Sequence, residues 1–219
     1  VNFLINSFLV YLDKSIKIYG GFSGAETALN QRNIALSPVV LSGDIGTSVT
    51  TSDNCYHVII TDGLASTAVI DGVTICDGNA NGTSTLSYSG QTYNQTYGGG
   101  IYNIASSPTI SNVTFLNNIA SDGGGIYNNS SSNPTLNNLN IINNSASNGG
   151  GIYTNNSLSL VNCNVLFNSA STNGGGIYNN ASSATTTTLK NSIFFGNGQS
   201  SDSNRSAAGA DIYFANAVP

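Results

Sequence analysis

"GGGIYN" at 98–103, "GGGIYN" at 123–128, "GGGIYT" at 149–154 and "GGGIYN" at 174–179 are four near-copies of one hexapeptide, spaced 25 or 26 residues apart. A period of that size marks an array of small structural units rather than one irregular core. Columns run outward from each copy. With Asn118, Asn144, Asn168 and Asn197 as anchors, Ile110, Leu136, Leu160 and Leu189 lie eight residues earlier. Val113, Leu139, Cys163 and Ser192 lie five earlier, Phe115, Ile141, Val165 and Phe194 three earlier, and Leu116, Ile142, Leu166 and Phe195 two earlier. An older copy fits the frame with Gly78 at the anchor and Ile70, Val73, Ile75 and Cys76 in the columns.

These steps do not follow a helical 3.6-residue period, and Gly, Asn, Ser and Thr are poor helix formers. They read as two or three short strands per unit, separated by corners. About 25 residues of that kind make one coil of a parallel β-solenoid, with neighbouring coils about 4.8 Å apart. Ile101, Ile126, Ile152, Ile177 and Ile212 then form one inward file, each fully buried Ile stabilising by about 1.5–3 kcal/mol. The glycines before them suit corners with positive φ or close backbone approach. Corner asparagines tolerate the left-handed region and can bond to their own copies. One residue past each Ile the chain alternates to the other face. Tyr102, Tyr127, Tyr153, Tyr178 and Tyr213 are therefore expected as an outward aromatic ladder.

The chain of 219 residues has 5 Lys+Arg against 10 Asp+Glu, and 33 asparagines. No basic cluster exists to neutralise a run of phosphates, which excludes nucleic acid as a partner. With 39% hydrophobic residues in periodic positions, the chain is not a disordered one. Cys55, Cys76 and Cys163 are too widely spaced for a disulfide framework or a metal-ligand pattern and read as small buried hydrophobes. No run of 18 apolar residues spans a membrane. The opening "VNFLINSFLVYL" lacks the basic start and cleavage site of a signal peptide and reads as strand.

"GGGI" at 123–126, the "N-x-x-x-x-P-T-L" pattern and "FLNN" at 115–118 resemble the GGA[ILV]/FxxN repeats of chlamydial polymorphic outer-membrane proteins. "IKIYGGFSGAET", "QRNIALSPVVLSGDIG" and "TAVIDGVTI" resemble the start of right-handed parallel β-helix (pectin-lyase-like) domains of large secreted bacterial surface proteins. The resemblance covers about 18–213. It implies one all-β domain over 1–219, a right-handed parallel β-helix of roughly eight coils. Residues 1–77 form less regular coils and 78–219 the GGGIY coils. The location implied is extracellular or on the bacterial cell surface, in the outer membrane, within a longer chain. Its partners would be a glycan, another surface protein or neighbouring domains of the same chain. The unfinished "ADIYFANAVP" likewise suggests that the chain continues or that its ends abut others.

Chemistry has few places to sit. Residues 78–189 carry one charged side chain, Asp122, and no histidine. Asp44, Asp53, Asp62 and Asp71 recur every nine residues with His57 among them, but the paired glycines of a calcium-binding nonapeptide are missing. These acids read as turn caps and His57 as a structural strand residue. No catalytic residue, metal site or cofactor is assigned. The leading expectation is a non-catalytic surface module, an adhesin or rigid spacer, with the tyrosine ladder as its candidate glycan-binding row. The alternative is a carbohydrate-active lyase or hydrolase, with Asp44, Asp53, Asp62 and His57 as its site. Insertions near 81–97 and 198–208 fall at the same corner, four coils apart. They are expected to stand about 19 Å apart at about 4.8 Å per coil and to wall a shallow groove.

Overall fold

The computed structural model describes residues 8–47, 50–181, 185–199 and 211–216. In it the chain visits four parallel sheets in a fixed order. One coil, for example, contributes Ile126–Asn128 to the first sheet, Thr135–Asn137 to the second, Asn140–Ile142 to the third and Ser145–Asn148 to the fourth. The sheets hold seven, six, six and five strands, and the pairs between coils within them are parallel. This is a solenoid-like stack of short parallel strands.

Register is where the sequence columns become structure. Ile59, Ile101, Ile126, Ile152, Ile177 and Ile212 sit opposite one another in the first sheet. The second sheet stacks Ile18, Ile70, Ile110, Leu136, Leu160 and Leu189. The third stacks Leu41, Ile75, Phe115, Ile141, Val165 and Phe194. These files meet Val73, Val113, Leu139 and Cys163 in one continuous core. One residue on from Phe115, the pleat turns Leu116, Ile142, Leu166 and Phe195 to the outer face of the third sheet.

Each regular coil has four strands where the column pattern predicts two or three. The fourth lies directly after the anchor asparagine and fills its interior with alanine: Ala80, Ala120, Ala146 and Ala170 are buried. Its small, polar sequence carries no apolar alternation to announce it.

The glycines divide their work. Gly123 takes φ +67°, while a Cβ on Gly125 would stand 2.8 Å from the carbonyl oxygen of Gly151 in the next coil. Two corner rows adopt the left-handed region elsewhere. Asn112, Asn138, Asn162 and Asn191 turn the chain between the second and third sheets, and Asn117 and Asn143 turn it after the third. Phe167 occupies this second row at φ +55°, a conformation that asparagine tolerates and a bulky side chain disfavours.

The anchors form a buried amide ladder. Nδ2 of Asn118 donates to Oδ1 of Asn144, Asn144 to Asn168, and Asn168 to Asn197, each at 2.9 Å. The same Nδ2 atoms donate to the carbonyls of Ile75, Phe115, Ile141 and Val165. The backbone N–H groups of Gly78, Asn118, Asn144 and Asn168 donate to the next anchor's Oδ1. Asn197 ends the row by donating to the Asp211 carboxylate at 2.7 Å. Polar groups at 0–1% exposure are thereby satisfied. A second row runs Thr61, Asn103, Asn128 and breaks at Thr154, where "GGGIYT" departs from the repeat. Asn103 donates to Asn128 at 2.8 Å, while Thr154 donates to the Asn156 carbonyl, leaving the buried Nδ2 of Asn128 without an acceptor.

Replacing Asn144 by Ala strips acceptors from two buried donors and should destabilise the chain by roughly 3–5 kcal/mol. Thr154→Asn gives the Asn128 amide an acceptor and should stabilise it by about 1 kcal/mol. Urea unfolding midpoints at constant m check both, the two shifts having opposite signs.

Candidate functional site

The five expected tyrosines do come together. Tyr127 and Tyr153 stack with ring centroids 4.9 Å apart at 12°, Tyr153 and Tyr178 at 5.0 Å and 27°, Tyr178 and Tyr213 at 5.3 Å and 6°. Tyr102 is the exception, edge-on to Tyr127 at 5.3 Å and 90° although their backbones are in register. Its place in the column is taken by Tyr97, which lies flat on Tyr127 at 4.5 Å and 2°.

Tyr97 arrives with the first insertion. Thr85–Tyr88 and Gln91–Asn94 form an antiparallel hairpin around Ser89 and Gly90, both at positive φ. Leu86 and Tyr93 face each other across it and point down, joining Ile60, Tyr102, Tyr127 and Tyr153 in a second apolar cluster outside the solenoid core. The hairpin is clasped by a polar tie: the Tyr93 hydroxyl donates to Asp62 at 2.7 Å and lies 2.8 Å from the Tyr11 hydroxyl. Burial and these neighbours push the Tyr93 phenol well above its ordinary value.

An exposed aromatic platform is therefore not what the ladder offers over its first rungs. Tyr102, Tyr127 and Tyr153 are 7–9% exposed, and stacked rings spend their faces on one another. Burial raises the Tyr102 and Tyr153 phenols to about 12. The open end is Tyr213, 39% exposed, with Tyr178 half-buried beside it. Amides border the ladder: Asn180 donates to Asn155 at 2.9 Å, and Asn155 donates to the Tyr127 hydroxyl at 3.2 Å. The second insertion expected to wall the groove, 198–208, lies outside the described residues from 200 onward.

Of the four N-terminal acids, Asp71, Asp53 and Asp62 hold the scaffold through their carboxylates, and the Asp44 N–H donates to the Ser42 hydroxyl at 3.1 Å. Asp71 accepts from Arg32 at 2.6 Å, from Ser111 at 2.6 Å and from Asn112 at 3.0 Å, tying the 20–39 loop to the second sheet. Burial alone would raise its carboxyl, but those three donors outweigh it and hold it below the ordinary range. Asp53 accepts from the Thr47 N–H at 2.7 Å, a turn cap, and Asp62 is engaged by the hairpin. Among the described residues, no three of His, Cys, Asp and Glu are grouped to hold a metal ion. Cys55, Cys76 and Cys163 are buried thiols.

His57 is fully buried in the first sheet, its Nδ1 3.0 Å from the Gly98 carbonyl and its ring 5.5 Å from that of Tyr102. A carbonyl partner requires the proton on Nδ1, so Nε2 is a bare acceptor, and it has no partner. Burial depresses this imidazole to about 4. In the unfolded chain it titrates near 6.5. Below that pH the unfolded state takes up a proton that the folded state refuses, so stability falls as pH drops from about 6.5 towards 4, by about 3 kcal/mol in all. His57→Leu should flatten that part of the curve. Unfolding free energies at pH 7, 5.5 and 4.5 for both chains check it, and parallel slopes would exclude His57 as the cause.

No protein-family model, no curated protein and no solved structure matches this chain.

Proposed function

We propose that this chain is a non-catalytic segment of a surface-displayed protein, a stiff spacer or adhesin module built as a right-handed parallel β-helix of about eight coils. The observation that carries this reading is how its few ionisable groups are used. Asp71 and Arg32 pin a loop, Asp62 clasps the hairpin, Asp53 caps a turn, and His57 is held neutral inside the first sheet. General acid–base or lyase chemistry needs such groups free to meet a substrate. What repeats instead is charge-free packing, like on like, which gives length and rigidity. The resemblance to pectin-lyase-like domains and to chlamydial polymorphic outer-membrane proteins supports an extracellular or cell-surface, outer-membrane setting. Neighbouring domains of the same chain and other surface proteins are then its partners.

Glycan binding is the second reading, favoured by the open end of the stack. Of the five ladder tyrosines, Tyr178 and Tyr213 are the more exposed, and the bonded amides of Asn155 and Asn180 border the stack at the Tyr127 hydroxyl. An uncharged row of phenols and amides suits a neutral sugar chain.

Incubation with polyuronides and neutral glycans, with and without calcium, should release neither unsaturated products nor new reducing ends. Turnover would overturn the first reading. If the second holds, Tyr178→Ala with Tyr213→Ala lowers glycan-array binding at least tenfold, while Tyr127→Ala acts through stability. Unchanged binding by a folded double variant removes it.

A further inference from the structure

The hairpin sets two rings in competition for one place. Backbone register assigns the first position of the stack to Tyr102, opposite Tyr127. Tyr97 holds it instead, parallel to Tyr127, and Tyr102 is turned edge-on to both, 5.9 Å and 89° from Tyr97. At each later step from Tyr127 to Tyr213 the register-matched ring is the stacked one. Gly98, at φ +62°, separates Tyr97 from the coil that carries Tyr102; its N–H donates to the Asp122 carbonyl at 3.0 Å and its own carbonyl faces His57, so the backbone there is fixed and the exchange is one of rings. The rest of the hairpin is attached by Leu86 and Tyr93 against Ile60 and the ladder rings, by the Tyr93 hydroxyl at Asp62 and Tyr11, and by Tyr88 edge-on to Tyr11 at 4.9 Å. None of these is part of the solenoid's inner files.

We propose that the hairpin is a clasp that opens as a unit, Tyr97 leaving the stack and Tyr102 rotating in to replace it. The stack on Tyr127 is then re-made by the coil's own ring. Opening therefore costs less than the hairpin's contacts imply, because one face-to-face ring pair is recovered. It bares the floor beneath, Ile60 and Asp62 beside the ladder, while the inner core stays closed. Such an element belongs to the low-stability end of the structure.

Tyr97→Ala tests this by removing the occupant. Native-state hydrogen exchange should show the amides of 85–94 opening about three- to tenfold more often than in the parent chain, the worth of the edge-on Tyr97–Tyr102 contact that opening does not restore. Those of Ile126 and Ile152 should be unchanged. In the same variant, a crystal structure or ring-to-ring nuclear Overhauser contacts should show Tyr102 parallel to Tyr127. Tyr97→Phe keeps the stack and should behave as the parent. The idea fails if Tyr102 stays edge-on above a void in Tyr97→Ala. It fails equally if the hairpin amides of the parent chain exchange only together with those of Ile126 and Ile152.

Discussion

Everything in this molecule answers to one constraint: a side chain at a given point of the coil must tolerate its own kind directly above and below. Isoleucine over isoleucine satisfies it by dispersion and water exclusion, because identical branched shapes at strand spacing leave no gap. Asparagine over asparagine satisfies it because the primary amide has an acceptor and donors on one group, so a row can bond to itself without end groups except at its extremes. A carboxylate or an ammonium fails the test, since like charges would lie at strand spacing in a poorly hydrated wall. The scarcity of charge in the repeating coils is thus a condition of the architecture, as well as a feature of the surface.

The same constraint decided what could be read in the amino-acid order. Inward files were legible because they recur: Ile110, Leu136 and Leu160 name their own sheet by keeping their distance from the anchor. The fourth sheet was not, because Ala120, Ala146 and Ala170 fill a narrow corner without any apolar run. Neither was the cover over the ladder, which occurs once and so escapes any comparison between copies. Its signal is of another kind, the "TLSYSGQTYN" segment, where Leu86 and Tyr93 flank a Ser-Gly turn of the sort that joins two antiparallel strands. The substitution of Tyr97 for Tyr102 depends on a ring rotation and has no counterpart in the order of residues.

Exceptions to the repeat are informative for the same reason. Thr154 interrupts one amide row and strands a neighbour's donor; Phe167 occupies a left-handed corner that asparagine fills in the coil before. Cys163 and Ser192 thin the corner file that Val73, Val113 and Leu139 begin. Each departure sits in the later coils, and Leu189, Ile193 and Phe195 there are 36–62% exposed. The inward files of the first three sheets stand at 0–1% exposure from Ile101 to Val165.

The anchor amides all point one way. Every Oδ1 is turned towards the preceding coil and every Nδ2 towards the following one. Dipoles aligned head to tail add and polarise one another, so the row has an electropositive terminus and an electronegative one, as a helix does. The anion of Asp211 sits at the positive terminus and the N–H of Gly78 at the negative one. The stack therefore has a direction written into its electrostatics, and the two ends of the amide row are chemically unlike.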